Sequence, residues 1–293
     1  MRIASRRVVV LGGTGFLGRA LCRRGALEGV ETLGVGSDLD LGDPGSERVL
    51  ADMLRPTDGV VMAAVRVPVT TGRDVEEHVG MASRAARACR TAGVGHLVYV
   101  SSDAVYGMGV EDVDESTVPQ PTSFYGRMHL EREEVFADTV GDRLLVVRPT
   151  LVYGHGNPRP NYGIDRLCQQ ALEGSIVLFG GGEERRDHVH VDDLASALSA
   201  AGSGRILGLV NLASGTSVSY AELATAVASA LPLQPRVTSS PRAGSIWHRR
   251  FAVAERLRLL PEVVVREPRD GALLLVDQLR AERTFRSKAL TRE

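Results

Sequence analysis

Lysine is almost missing from this 293-residue chain: Lys288 is the only one, so 34 of the 35 basic residues are arginine. The bias reads first as the mark of a GC-rich coding sequence, but it means that any site here is built nearly without ammonium groups. Cysteine is scarce as well. Cys22, Cys89 and Cys168 are scattered, with neither metal-ligand spacing nor a disulfide framework, which fits a reducing compartment and predicts no metal site. Charge of one sign is absent, since 35 basic and 36 acidic residues nearly cancel, so no global field recruits nucleic acid or an anionic membrane. No apolar run approaches the ~20 residues that span a bilayer. Arg2, Arg6 and Arg7 precede an apolar run that reads as a strand rather than as a cleavable signal. There is no internal repeat and no low-complexity tract. What remains is the expectation of a cytoplasmic enzyme.

The most informative segment present is Val8-Val9-Val10-Leu11-Gly12-Gly13-Thr14-Gly15-Phe16-Leu17-Gly18. Four apolar residues suit a buried parallel strand, and a glycine turn then opens a helix. Gly12 permits the tight turn, Gly15 lets backbone approach a pyrophosphate, and Gly18 lets the helix sit close to the strand. The N–H groups and positive dipole end of that helix attract phosphates. The segment therefore predicts dinucleotide binding.

Further strand candidates are Glu31–Val35, Gly59–Ala63, His96–Val100 and Leu144–Val147, with helical stretches at Val75–Ala92 and Glu131–Ala137. This alternation reads as βαβ units. The expected fold class is α/β, a Rossmann-type doubly wound parallel sheet with a smaller C-terminal substrate lobe. Residues 1–150 are read as the dinucleotide-binding domain, with 187–212 returning to it, and 151–293 mainly as the substrate-binding lobe. Asp192–Ala201 and Tyr220–Leu231 read as helices and Leu209–Leu212 as a strand. The last sixty residues, with Pro232, Pro235, Pro241, Pro261 and Pro268, read as less regular.

Several motifs follow in order: Leu39-Asp40-Leu41-Gly42-Asp43-Pro44, Ala63-Ala64, Ser101-Ser102-Asp103-Ala104-Val105-Tyr106-Gly107 and Tyr125-Gly126-Arg127-Met128-His129. Arg148-Pro149 with Val152-Tyr153-Gly154 comes next, and Arg186-Asp187-His188-Val189-His190 closes the series. Together with the glycine fingerprint they resemble the extended short-chain dehydrogenase/reductases, the nucleotide-sugar epimerase/dehydratase/reductase group, over about residues 7–230. The resemblance implies a cofactor, NAD or NADP, against Gly12, Thr14, Gly15, Phe16, Leu17, Gly18, Asp40, Leu41, Ala63, Ala64, Tyr125 and His129. It implies that Ser102 hydrogen-bonds the reacting oxygen, that Tyr125 is the general acid/base with Asp103 beside it, and that Arg186, Asn157 and Asn161 bind the substrate. The Arg186 fork suits a diphosphate. His188 and His190 alternate along an apolar strand and read as structural.

The departures from that pattern narrow the chemistry. A lysine normally stands four residues after the tyrosine, where its charge stabilises tyrosinate; here the position holds His129, one turn away from Tyr125. Arg66 and Arg127 are the arginines considered for supplying charge instead. Asp103-Ala104 replaces the Asp-Glu pair of the dehydratases, which disfavours water elimination. Glu76-Glu77-His78 stands where an Asn near the cofactor is usual. Gly36 occupies the position at the end of the second strand that normally separates NAD from NADP, with Asp38 and Arg19 as the nearby alternatives. A phenol without a permanent cation favours donating a proton, and so favours reduction over a cycle that runs both ways.

The leading expectation is therefore a reductase or epimerase acting by hydride transfer on a nucleotide-linked sugar. The alternatives are a ketoreductase of a non-sugar carbonyl metabolite and a catalytically degenerate nucleotide-binding or scaffolding protein. The expected partner is a small molecule; nucleic acid and membrane are not expected, and a homodimer is compatible with the reading.

Overall fold

The computed structural model describes residues 7–290, with side chains described to 285; Arg2 and Arg6 lie outside this range. The first half alternates as the hydrophobic pattern requires: β1 (Arg7–Leu11), α1 (Phe16–Glu28), β2 (Glu31–Val35), α2 (Ser46–Met53), β3 (Asp58–Met62), α3 (Gly72–Thr91) and β4 (His96–Val100). After β4 come a one-turn helix at Asp103–Tyr106 and the short β5 (Asp112–Val113), then α4 (Phe124–Val140) and β6 (Leu144–Pro149). Next in the chain are β7 (Leu151–Tyr153), α5 (Gly163–Leu172), β8 (Ser175–Phe179), β9 (Arg185–Arg186), β10 (His188–His190), α6 (Val191–Gly204) and β11 (Gly208–Leu212). The chain continues through β12 (Val218–Ser219), α7 (Tyr220–Ser229), β13 (Arg236–Ser240), β14 (Arg250–Phe251), α8 (Ala254–Leu259) and α9 (Pro268–Leu290).

Six strands form the central sheet in the order β11-β6-β4-β3-β1-β2, every neighbouring pair parallel. The period-2 alternation of a strand sends Val8 and Val10 to one face and Val9 and Leu11 to the other. Val8, Val10, Val61 and Val98 pack with residues of α1 and α6. Val9, Leu11, Val60, Leu97 and Tyr99 pack with α2, α3 and α4. Helices on both faces make the sheet doubly wound, as the alternation predicts. The strand order reverses between β2 and β3 on either side of β1, and ligands of open α/β sheets bind in the crevice at that point.

A separate apolar cluster unites α5, β8, α7 and α9, including Leu167, Ile176, Leu223, Val227 and Val276. The end of the chain is more regular than its prolines suggest. Pro268 is the first residue of a 23-residue helix, where a missing N–H costs nothing and a fixed φ is already helical.

One buried network ties the strand ends to α4. Arg148 on β6 forks onto Glu133 of α4, Nε at 2.9 Å and Nη2 at 2.5 Å, and the same carboxylate accepts from Ser101. Arg148 also donates to the Tyr106 hydroxyl at 3.0 Å, which donates to Asn211 on β11 at 2.6 Å. Removing one partner of a buried pair strands the other charge in a medium that solvates it poorly. Glu133→Ala should therefore cost about 3–5 kcal/mol of stability, read from the midpoint of urea unfolding. A change under about 1 kcal/mol contradicts this role.

Candidate active site

The turn after β1 is shaped by steric need. Gly12 has φ +93°, in the left-handed region, and a Cβ there would stand 2.9 Å from the Ala64 backbone. A Cβ on Gly18 would fall 2.0 Å from the Gly12 carbonyl oxygen, so only glycine lets α1 approach the turn. Gly15, the N-cap of α1, is different: it has an ordinary φ of −73°, no side chain caps the helix, and a Cβ would meet only the Gly12 oxygen at 3.2 Å. The turn thus leaves the backbone N–H groups at this helix start open.

These residues border a cavity of about 320 Å³ lined by Gly12, Thr14, Gly15, Asp40, Ala64 and Arg66, with Leu41 and Ala63 also on its wall. It lies at the carboxyl ends of β1, β2 and β3, and its glycine floor and open helix N-terminus fit a dinucleotide pyrophosphate. Of the sequence-predicted cofactor residues, Phe16 and Leu17 instead pack against the core beneath, and Gly18, Tyr125 and His129 are not on this wall. The blank at Gly36 has a physical cause, because any Cβ there would collide with Thr14 at 2.3 Å. Asp38 turns back to accept from the Gly36 N–H at 2.9 Å, and Arg19 is engaged with the Thr14 carbonyl. Nor do Glu76 and Glu77 replace the missing Asn: both are exposed, while buried His78 accepts from the Arg66 N–H at 3.0 Å and so anchors the loop after β3.

A second cavity, about 510 Å³, opens beyond β4 and β6. It is lined by Ser102, Asp103 and Tyr125 together with Arg186, Trp247 and Arg249. Ser102 caps the one-turn helix, accepting from the Ala104 N–H at 3.2 Å. Tyr125 is delivered by the first turn of α4, which Ser123 caps by accepting from Gly126. Burial raises the pKa of Tyr125 above the usual phenol value, the Ser102 hydroxyl opposes the rise, Asp103 adds to it, and Arg132 opposes it. Asp103 is itself pushed up by burial, against the pull of Arg249 and Arg186.

His129 is buried, and its ring meets Tyr125 edge-on at 4.6 Å between centroids. Its Nδ1 lies 2.7 Å from the Tyr99 hydroxyl. Burial keeps the Tyr99 phenol protonated, and such a hydroxyl pairs with Nδ1 in either imidazole tautomer, leaving Nε2 to other partners. That Nε2 is buried with no hydrogen-bond partner among the described residues. Burial first, and then the charge of Arg132, hold the His129 pKa well below the usual imidazole value, so the ring is neutral in the physiological range. Neither arginine considered from the sequence makes good the missing charge: Arg66 pairs with Asp40, and Arg127 with Glu131 on the surface of α4.

Arg186 of the cavity lining is buried, 2.7 Å from Glu184, with its guanidinium 3.1 Å from the centroid of Trp247. Glu184 also takes Arg242 at 2.5 Å. Arg249 bonds Asp103 and the carbonyls of Asp103, Val110 and Gly107, joining the C-terminal part of the chain to the segment after β4. Asn157 is committed to Asp165 and to its own loop through the Arg159 N–H, so it builds the loop rather than the cavity wall. Asn161 is exposed, next to Tyr162, which lines the cavity. His190 caps α6, accepting from Asp192 at 3.1 Å, and His188 stacks edge-on with Tyr153 and Tyr220. Trp247, Arg249, Tyr99 and Arg132 are the residues that sequence reasoning missed.

With this geometry in place, comparison with known proteins decides the family. The sequence profile of the NAD dependent epimerase/dehydratase family matches residues 8–204. The chain belongs to that family. Its cofactor class is accordingly a nicotinamide dinucleotide, with NAD and NADP not distinguished. Among solved structures it is similar to MoeE5 in complex with UDP-glucose and NAD, at 26% identity and a TM-score of 0.80, covering 94% of this chain and 99% of that one. It is 25% identical over 215 residues to a 2-alkyl-3-oxoalkanoate reductase of Stenotrophomonas maltophilia, 65% of this chain and 63% of that one. It is 27% identical over 275 residues to methionine adenosyltransferase 2 subunit beta of Mus musculus, 84% of this chain and 79% of that one. The chain thus spans less than two thirds of the length of some curated relatives it matches. Among the described residues no helix is long and apolar enough to cross a membrane.

Proposed function

We propose that the protein is an oxidoreductase of this family that acts on a hydroxyl- or carbonyl-bearing carbon of a nucleotide-linked sugar, with Tyr125 as general acid/base. One observation carries the reading: Tyr125 and Ser102 line the same cavity as Arg186, Arg249 and Trp247. Guanidinium groups beside an indole suit a ligand with a phosphorylated and an aromatic part. When bound, the dinucleotide supplies or accepts the hydride. Ser102 orients the reacting oxygen by donating to it, and Tyr125 moves the proton at that oxygen. Tyr125 begins protonated at neutral pH, the state required for reduction, and this favours the reductive direction.

Arg186→Ala tests the substrate side. A charge-assisted hydrogen bond contributes on the order of 1.5–3 kcal/mol, so binding of UDP- or dTDP-linked sugars should weaken about tenfold or more. Titration calorimetry should show dinucleotide affinity unchanged. One observation favours a second reading, a ketoreductase of a non-sugar carbonyl compound: Glu184 already partners Arg186 and so reduces its call on a diphosphate. Equal sugar-nucleotide affinities before and after the substitution support that reading instead.

A further inference from the structure

Arg132 is fully buried in α4, yet no carboxylate pairs with it among the described residues; the adjacent Glu133 is taken by Arg148 and Ser101. Its Nη2 donates to the Ala64 carbonyl at 3.0 Å, its Nη1 lies 3.6 Å from the Met128 sulfur, and its Nε has no partner. The guanidinium stands 5.0 Å from the centroid of the Tyr99 ring. Arg132 follows His129 by three residues and Tyr125 by seven, about one and two turns, so all three share a stripe of the helix. An unpaired buried charge is costly to keep and persists where something else needs it.

We propose that Arg132 is a positioning residue whose fixed positive charge stabilises the ionised form of Tyr125 from the same stripe of α4. A guanidinium keeps its proton throughout the working pH range, so this charge does not titrate away. The groups facing Tyr125 can be named: Ser102 and Asp103 from the segment after β4, and His129 and Arg132 from its own helix. Tyr99 of β4, hydrogen-bonded to His129, is also coupled to Tyr125, and His78 of α3 neighbours His129. Of these, Asp103 opposes tyrosinate, the histidine is held uncharged, and Arg132 is the cation. Arg132 and His129 also belong together. A lysine at 129 would bury a second cation beside the guanidinium, whereas a neutral imidazole hydrogen-bonds Tyr99 and packs against Tyr125 without that repulsion.

The inference rests on Tyr125 as the acid/base, but its test reads ionisation rather than turnover. Tyrosinate absorbance is titrated in the full protein, with the Tyr125→Phe variant subtracted to isolate that one phenol. Seven residues span about 10 Å of helix, and at that range in a buried setting a unit charge favours the ionised form by a factor of about ten. Arg132→Met should therefore lower the tyrosinate fraction at a given pH about tenfold. Arg132→Lys should keep most of it, and adding His129→Lys to Arg132→Met, which moves the charge one turn toward Tyr125, should restore it. An unchanged titration in folded Arg132→Met, or no recovery on relocating the charge, overturns the proposal. NMR of the His129 ring in the unaltered protein provides a check that no folding defect can obscure. A neutral ring near neutral pH is expected, and an imidazolium there overturns the proposal too. If Tyr125→Phe proves active, the acid/base assignment fails while the ionisation result stands.

Discussion

With Gly15 replaced by leucine, the protein should stay folded and lose its dinucleotide. The backbone at Gly15 has a φ that any residue adopts, and an added Cβ meets only the Gly12 oxygen at 3.2 Å, which a shift of a few tenths of an ångström relieves. The rest of the leucine side chain then lies over the open N-terminus of α1, where the pyrophosphate would sit. Losing two charge-assisted hydrogen bonds at ~1.5–3 kcal/mol each weakens binding by more than about a hundredfold. Calorimetric titration with NADH and NADPH checks the affinity, and thermal unfolding checks the fold. Gly18→Leu is the contrast: its Cβ would lie 2.0 Å from the Gly12 oxygen, so this substitution should destroy the fold along with the site. Dinucleotide affinity that survives Gly15→Leu would place the cofactor elsewhere.

The second large effect belongs to Tyr125→Phe. The phenyl ring keeps the edge-on contact with His129 and the packing against Val69, Val75 and Met128, so the site should hold its shape. Only the hydroxyl is lost, and with it the proton that the reacting oxygen must receive. Positioned acid/base groups contribute about 10²–10⁴ in rate, so kcat should fall by that factor with KM for the sugar nucleotide little changed. A fall confined to KM would instead make Tyr125 a binding residue. In the unaltered enzyme, burial holds the phenol protonated well past neutral pH. The reductive rate should accordingly stay flat through neutrality, while the oxidative rate rises as the pH is raised toward the Tyr125 pKa.

The central sheet was legible because its signals are local. Glu31–Val35 and His96–Val100 are strands over the residues expected, and the glycine turn lies between β1 and α1 where its spacing requires. Boundaries moved where tertiary contacts override pattern. β6 runs on through Arg148 because Glu133 satisfies a guanidinium that would otherwise end a buried strand. Pro268 read as a breaker because its position relative to a helix start is a property of the fold rather than of the residue. The site divided in the same way. Ser102, Tyr125 and the cavity-lining glycines follow from motif order, but the arginine and tryptophan from the C-terminal part do not, since Arg249 reaches Asp103 across 146 positions with no periodicity to announce it. Gly36 looked like a missing cofactor determinant until Thr14 was seen to fill the space of any side chain there. Arg132 carried one readable signal, its seven-residue spacing from Tyr125, but burial without a carboxylate partner exists only in three dimensions.

The most direct measurement follows a hydride. Reduced dinucleotide carrying deuterium at its transferable position is incubated with the protein and UDP- or dTDP-linked keto sugars, and the products are read by mass spectrometry. Deuterium should appear on the sugar carbon that bore the carbonyl, with the unaltered protein and not with Tyr125→Phe. Deuterium that stays in the dinucleotide for every nucleotide-linked sugar, under conditions where both ligands are bound, would contradict hydride transfer at this site.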